Sequence, residues 1–149
     1  MARGIPGIEV RPLGPSDVRL LHRLWRGSGL SFKARGRDRL KLLQAQRRRT
    51  PDLFLGAFYG GELVGSVIAS DDGRRGWINR LAVRPDLRRK SIAKTLIKEA
   101  EDALRKRGRY LFCIHVESDN KQSMKLFEDA GYNMETDIFY YTKRERKSY

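Results

Sequence analysis

Apolar residues alternate with polar ones in some stretches of this chain and recur every third or fourth residue in others. The two periods divide it into strands and helices. Ile8-Glu9-Val10-Arg11-Pro12 alternates and stops at proline, which predicts a short first strand. Val18, Leu21 and Trp25, with Leu20 and Leu24 beside them, predict a helix capped by Ser16 and ended by Gly27 and Gly29. The basic stretch Lys33 to Arg49 holds one apolar cluster, Leu40, Leu42 and Leu43, and predicts a second, weaker helix ending before Thr50-Pro51. Leu53 to Tyr59 and Glu62 to Ser70 read as strands joined by Gly60-Gly61, a pair that tolerates the positive φ of a tight hairpin. Asp71-Asp72-Gly73 turns the chain into a third strand, Trp77 to Val83, ended by Pro85. Ile92, Leu96, Ile97, Ala100, Ala103 and Leu104 then recur at helical spacing from Ser91 to Lys106, and Gly108 closes that helix. Tyr110 to Val116 is an apolar strand, and strand-helix-strand order predicts a parallel crossover pair. Asp119 with Gln122 resembles a capping box opening a helix that carries Met124, Phe127 and Ala130 and stops at Gly131. Thr136 to Thr142 is rich in aromatics and predicts a last strand, for an order β-α-α-β-β-β-α-β-α-β.

The class is therefore α/β (α+β), with a mixed, mostly antiparallel sheet and flanking helices. At 149 residues the chain is expected to form a single domain, its core spanning about 8–143 and its basic tail 143–149. With 40% hydrophobic and 34% charged residues, the composition is that of a globular protein. No stretch approaches the ~20 apolar residues of a membrane helix, and no apolar secretory core opens the chain. A single cysteine, Cys113, and two histidines, His22 and His115, exclude an internal disulfide and point to no metal site. The expected compartment is the reducing cytoplasm. Charge changes the picture more. The formal net charge is +14, and twenty-two of the thirty-two basic residues are arginine. Such an excess implies an anionic partner, either a polyanion such as RNA or a phosphorylated cofactor.

Candidate chemistry concentrates in Leu81-Ala82-Val83-Arg84-Pro85-Asp86-Leu87-Arg88-Arg89-Lys90-Ser91-Ile92-Ala93-Lys94. A strand ends, a basic loop turns, and a helix begins with small residues. Helix starts leave backbone N–H groups unpaired and attract anions. Arg88, Arg89 and Lys90 add formal charge at the same point. The segment lacks the glycine pattern of an ATP-binding P-loop and that of a dinucleotide-binding turn.

Arg88-x-x-Ser91-x-Ala93 resembles the acetyl-CoA signature of the GNAT N-acetyltransferases, Arg/Gln-x-x-Gly-x-Gly/Ala, and the preceding Leu-Ala-Val-x-Pro is typical of that family. Asn120-x-x-Ser-x-x-Leu126-Phe127-x-x-x-Gly131-Tyr132 resembles its second signature. The resemblance runs from about Ile8 to Lys143. It implies a sheet splayed between the Trp77–Val83 and Tyr110–Val116 strands, with the pantetheine arm of acetyl-CoA in the gap. Backbone groups of Leu81 and Val83, with Ala82 between them, would pair with that arm. The N–H groups from Arg89 through Lys90, Ser91 and Ile92 to Ala93 would hold the pyrophosphate. Asn120 would bond the pantetheine, and Phe127 would pack near its sulfur.

Two departures stand out. Ser91 occupies the usual glycine position, where its hydroxyl can donate to an oxygen. Phe127 occupies a position where many relatives carry a tyrosine that protonates the thiolate. A thiol of pKa near ~8.5 leaves tolerably without that acid. Tyr132, Tyr140 and Tyr141 are the candidate substitutes. For the base, His115 lies five residues before Asn120, where relatives that acetylate protein N-termini commonly carry glutamate. Histidine as a residue type titrates near neutrality and suits that work. Glu117, on the same strand face, could orient His115 or replace it, and Asn79 could position a water. His22 and Cys113 read as structural.

The expected activity is direct acetyl transfer from acetyl-CoA, without a metal, to an amine on a small molecule or a peptide N-terminus. At pH 7 an α-amine is ~10–20% neutral and a lysine ~0.04%, a gap of about 300-fold, so low-pKa amines are favoured. Two other readings are compatible with the sequence. One is a basic nucleic-acid-binding module built on Arg35, Arg37, Arg39, Lys41, Arg47-Arg48-Arg49 and the tail Lys143-Arg144-Arg146-Lys147, although no aromatic-interleaved RNA motif accompanies them. The other is a catalytically silent acyl-CoA-binding protein. No membrane partner is expected, and a homodimer is compatible with the sequence.

Overall fold

A computed structural model describes residues 6–88 and 91–149. Five strands form one sheet in the order β1-β2-β3-β4-β5: β1 Ile8–Pro12, β2 Phe54–Tyr59, β3 Glu62–Asp71, β4 Gly76–Val83 and β5 Phe112–Cys113. The first four are antiparallel neighbours, and β5 joins β4 in parallel. Short loops explain the meander. Gly60 and Gly61, at φ 57° and 79°, close the β2–β3 hairpin as expected. The return to β5 passes through a helix, as a parallel connection requires.

Four α-helices flank the sheet: α1 Leu21–Ser28, α2 Leu40–Arg49, α3 Ile92–Lys106 and α4 Lys121–Asp129. On one face α3 sets Ile92, Leu96, Ile97, Ala100 and Leu104 against Leu55, Ala57, Val67 and Ile78, and α4 adds Phe127. On the other, Leu21, Leu24 and Trp25 of α1 and Leu43 of α2 cover Phe54, Phe58, Ile68 and Ala82. Strand β2 sends side chains into both clusters, which is why its sequence is continuously apolar.

The second helix starts at Leu40, at its apolar cluster, because the Asp38 carboxylate accepts the Lys33 N–H at 2.8 Å and folds residues 33–38 into turns. Two expectations are corrected. The expected strand Tyr110 to Val116 keeps only Phe112 and Cys113 in the ladder, paired with Gly76 and Trp77. Thr136 to Thr142 carries no ladder hydrogen bonds. It runs back past β5, where Tyr140 stacks on His115, but two ladder residues are too short a template for a sixth strand. In place of the final β of the expected order lies an irregular segment, bent at Thr136 and Asp137, with no ladder partner among the described residues.

Candidate active site

The opening of the sheet begins at a bulge. Ser66 faces Ala82 and Ile68 faces Asn79, so Arg80 and Leu81 together oppose Val67. Arg80 holds φ 53°, an uncommon conformation for a residue with a Cβ. Buried Ser66 supports it: its hydroxyl donates to the Arg80 carbonyl at 2.9 Å and accepts from Trp25 Nε1 at 2.9 Å. A bulge bends and twists its strand. Past Trp77, β4 and the chain after Cys113 diverge, and the β4 edge facing β5 has no ladder partner.

A cleft of about 1190 Å³ fills the gap, lined by Ile78 to Val83, Ile114 to Glu117, Asn120, Phe127 and Ser91 to Lys94. That exceeds the ~300–1,000 Å³ of typical small-molecule sites. At its floor, Ser91 caps α3 in the left-handed conformation, φ 67° and ψ 6°. The first α3 hydrogen bond is Thr95 N–H to the Ser91 carbonyl at 3.0 Å. Among the described residues, the N–H groups of Ile92, Ala93 and Lys94 have no acceptor. Three amide donors therefore converge at the cleft, an anion cradle by geometry and by the helix dipole.

The other expected cofactor residues fall around this floor. Asn120 caps α4 in place of the expected Asp119: its Oδ1 accepts the Ser123 N–H at 3.1 Å, which leaves its Nδ2 to donate elsewhere. Phe127 is buried, edge-on to Tyr132 at 5.2 Å. Leu81, Ala82 and Val83 form the β4 wall. Arg88 lines the cleft, but its guanidinium is engaged, donating to the carbonyls of Ser28 at 2.6 Å and Val83 at 3.3 Å. Arg89 and Lys90 lie outside the described residues.

At the other end of the cleft the His115 ring lies between Trp77 and Tyr140, with centroids 5.0 and 4.4 Å away. His115 and Glu117 are both exposed there, and no hydrogen bond or ion pair joins them among the described residues. Asn79 is exposed on β4, its Nδ2 3.5 Å from the Ser70 hydroxyl. Tyr132 is turned away from the cleft: its hydroxyl donates to Glu101 at 2.7 Å. Burial, and then that hydrogen bond, hold its phenol far above the ordinary range. Among the tyrosines, Tyr140 lines the cleft, whereas Tyr141 is 87% exposed and does not. His22 is tied into the α1–α2 loop, and Cys113, expected in the core, is half-buried on β5. His22 Nε2 bonds the Asp38 carbonyl at 2.6 Å, and burial pushes the Cys113 thiol up.

The sequence did not single out the pair that fixes the α1–α2 loop. Arg80 Nη2 lies 2.9 and 2.8 Å from the two oxygens of Asp38, its Nε lies 3.2 Å from Oδ1, and its Nη1 donates to the Ser31 carbonyl at 3.0 Å. Asp38 is only 5% exposed. A signal was present: Asp38 is the only acidic residue between Lys33 and Arg49.

Comparison with known proteins agrees with this geometry. Residues 19–132 match the Acetyltransferase (GNAT) family. The chain is 35% identical over 102 residues to an acetyltransferase of Sodalis glossinidius, covering 68% of this chain and 72% of the relative. It is 31% identical over 131 residues to one of Yersinia enterocolitica, covering 88% and 92%. Among solved structures it is similar to the PaiA N-acetyltransferase from Thermoplasma acidophilum in complex with coenzyme A. The TM-score is 0.77 and the identity 26%, over 87% of this chain and 92% of that one.

Proposed function

Because this chain belongs to the GNAT acetyltransferase family, we propose that it moves an acetyl group directly from acetyl-CoA to a primary amine, favouring α-amines and other amines of low pKa. The observation that carries this reading is the trio of α3 amides that, among the described residues, have no acceptor, beside the β4 edge that has no ladder partner among them. Bound acetyl-CoA supplies an activated thioester carbonyl, and the chain supplies the rest.

The amides of Ile92, Ala93 and Lys94 hold the pyrophosphate, with the Ser91 hydroxyl beside them, since it makes no cap bond of its own. The free edge of β4 at Leu81, Ala82 and Val83 pairs with the pantetheine arm as a further strand. Asn120 Nδ2 donates to the same arm, and Phe127 forms the apolar seat at its sulfur end. His115, at the opposite end of the cleft, takes the proton from the incoming ammonium. Its two ring neighbours hold its plane without using its nitrogens. Glu117 draws the ammonium into the cleft, and Asn79 positions a water when the proton passes through one. Backbone N–H groups along the bulged strand stabilise the developing oxyanion. With Phe127 at the sulfur and Tyr132 committed to Glu101, the thiolate leaves without a dedicated acid, which its low basicity allows.

The test is a thermal shift with acetyl-CoA, followed by thiol release over peptides, polyamines and amino acids. The expected results are stabilisation by acetyl-CoA and turnover with kcat/KM well above that of matched ε-amines. Equal kcat/KM for the two amine types would remove the low-pKa preference, and the absence of any shift with acetyl-CoA would remove the transferase reading.

A further inference from the structure

The C-terminal segment does more than pass the cleft. From Tyr140, which lines it, the chain continues to residues 142–149 and folds back on the α1–α2 loop. Gly36 is the docking point. A Cβ there would collide with the backbone carbonyl of Ser148, so the two main chains lie in direct apposition. Arg39 Nη1 reaches the Tyr149 hydroxyl at 3.4 Å beside them. Between tail and loop lies a second cavity of about 480 Å³, whose lining includes Arg37, Lys143, Arg144 and Arg146, with Glu145 as the opposing side-chain charge. Among the described residues, Lys143, Arg144 and Arg146 form no ion pair. Arg37 approaches only Asp38, at 4.0 Å, and that carboxylate already holds Arg80. Arg37 lines both cavities and so joins them.

The two cavities differ in charge. In the inner cleft Arg80 is paired with Asp38, Arg88 donates to the Ser28 and Val83 carbonyls and Lys94 stands in the first turn of α3, whereas Glu117 and Asp119 form no ion pair among the described residues; the outer cavity holds an excess of cations. A phosphodiester chain threading both would set phosphates against Glu117 and Asp119. A peptide whose N-terminal ammonium sits inside and whose carboxylates sit outside matches both ends. Lys143 to Arg146 stand three to six residues beyond Tyr140. Because the tail advances by no more than about 3.3 Å per residue, an extended peptide covers the same distance within roughly three to six residues of the acceptor amine.

We propose that the acceptor is the N-terminus of an acidic peptide, with the cavity formed by Arg37 and the tail cations binding carboxylates about three to six residues downstream. This rests on the acetyltransferase reading above.

The experiment uses the full chain and eight-residue peptides that share their first three residues and carry Asp/Glu, Ala/Gly or Lys at positions four to seven. Thiol release is measured at low and high salt. The acidic series should exceed the neutral one by about tenfold in kcat/KM, through KM, as three exposed ion pairs together allow. The gap should narrow with salt. Arg144→Glu with Arg146→Glu should invert the acidic-to-neutral ratio. Gly36→Val should flatten it without altering any charge, by displacing the tail. Equal kcat/KM across the three series overturns the proposal while leaving the transferase intact, as does acetylation confined to small amines. Stronger inhibition by a uridine decamer than by the acidic product peptide, with no acidic preference, overturns it in favour of nucleic acid. Failure to bind acetyl-CoA removes the underlying reading and this proposal with it.

Discussion

Ser91 offers a substitution whose effects on stability and on binding separate. It holds φ 67° at the head of α3, where L-residues are strained by roughly 1–2 kcal/mol. Ser91→Gly removes that strain but frees the unfolded chain, which costs roughly 0.4–1 kcal/mol. The net expectation is a stabilisation of about 0.5–1 kcal/mol. For a chain of this size that is a rise in Tm of about 1–4 °C. Ser91→Ala keeps the Cβ and its strain, so its Tm should stay within about 2 °C of the parent. The carbonyl of Ser91 that accepts from Thr95 N and from Thr95 Oγ1 is present in all three proteins, so the α3 start is preserved. Binding should order differently. If the hydroxyl donates to a phosphate, Ser91→Ala loses a charge-assisted hydrogen bond of about 1.5 kcal/mol, roughly tenfold in Kd. Ser91→Gly recovers part of that loss, because the backbone can approach the anion more closely. Calorimetric titration with acetyl-CoA and differential scanning calorimetry measure the two effects. A Tm that falls on Ser91→Gly refutes the strained cap. One Kd common to all three proteins removes Ser91 from the cofactor site.

Other outcomes follow from pairs described above. Asp38→Asn leaves the Arg80 guanidinium without its counter-charge under a partly buried loop. It should cost about 2–3 kcal/mol in urea denaturation, less than the 3–5 of a fully buried pair, because the Arg80 side chain is 21% exposed. A loss below about 0.5 kcal/mol would show that the pair does not hold the loop. Tyr132→Phe should leave the pH–rate profile unmoved, because its phenol stays protonated on Glu101 across the working range. A lost alkaline limb would make it the missing acid. Arg107 holds the Asp52 carboxyl below its ordinary range, and Arg109, through a short hydrogen bond, does the same for Asp71. A carboxylate whose folded pKa is depressed stabilises the fold above its unfolded pKa, near 3.8 here, and that stability is lost as pH falls through the folded value. Tm should therefore drop steeply below about pH 4, and Asp71→Asn should flatten the drop. An unchanged slope would contradict the assignment.

Much of this was legible in the residues, and the failures have physical causes. The Gly60-Gly61 hairpin and α3 could be read because turn chemistry and helical period are local properties. The shortening of β5 could not, because alternation of side chains is the same whether a strand sits in a ladder or splays from it. Thr136 to Thr142 misled for the related reason that β-propensity expresses fit to a neighbouring strand. The bulge at Arg80 was invisible because arginine carries no mark of a left-handed conformation. What holds it there, Ser66 and Trp25, is distant in sequence. Asn120 rather than Asp119 caps α4, and the sequence did not decide between them because either residue type can cap. The cofactor motifs were readable as motifs. The proposed acceptor side was not, because it combines a loop and a tail far apart along the chain.

The guanidinium bridging β4 and the α1–α2 loop also limits how this enzyme can be re-engineered. Acceptor loops are tempting parts to transplant between homologues. Here residues 29–39 cannot be exchanged as an independent cassette, because the strand keeps a cation whose ion-pair partner, Asp38, would leave with the graft. A chimera would need an acid at the matching place or a neutral side chain at Arg80. Natural drift at either position would meet the same toll, so the two should change together or not at all.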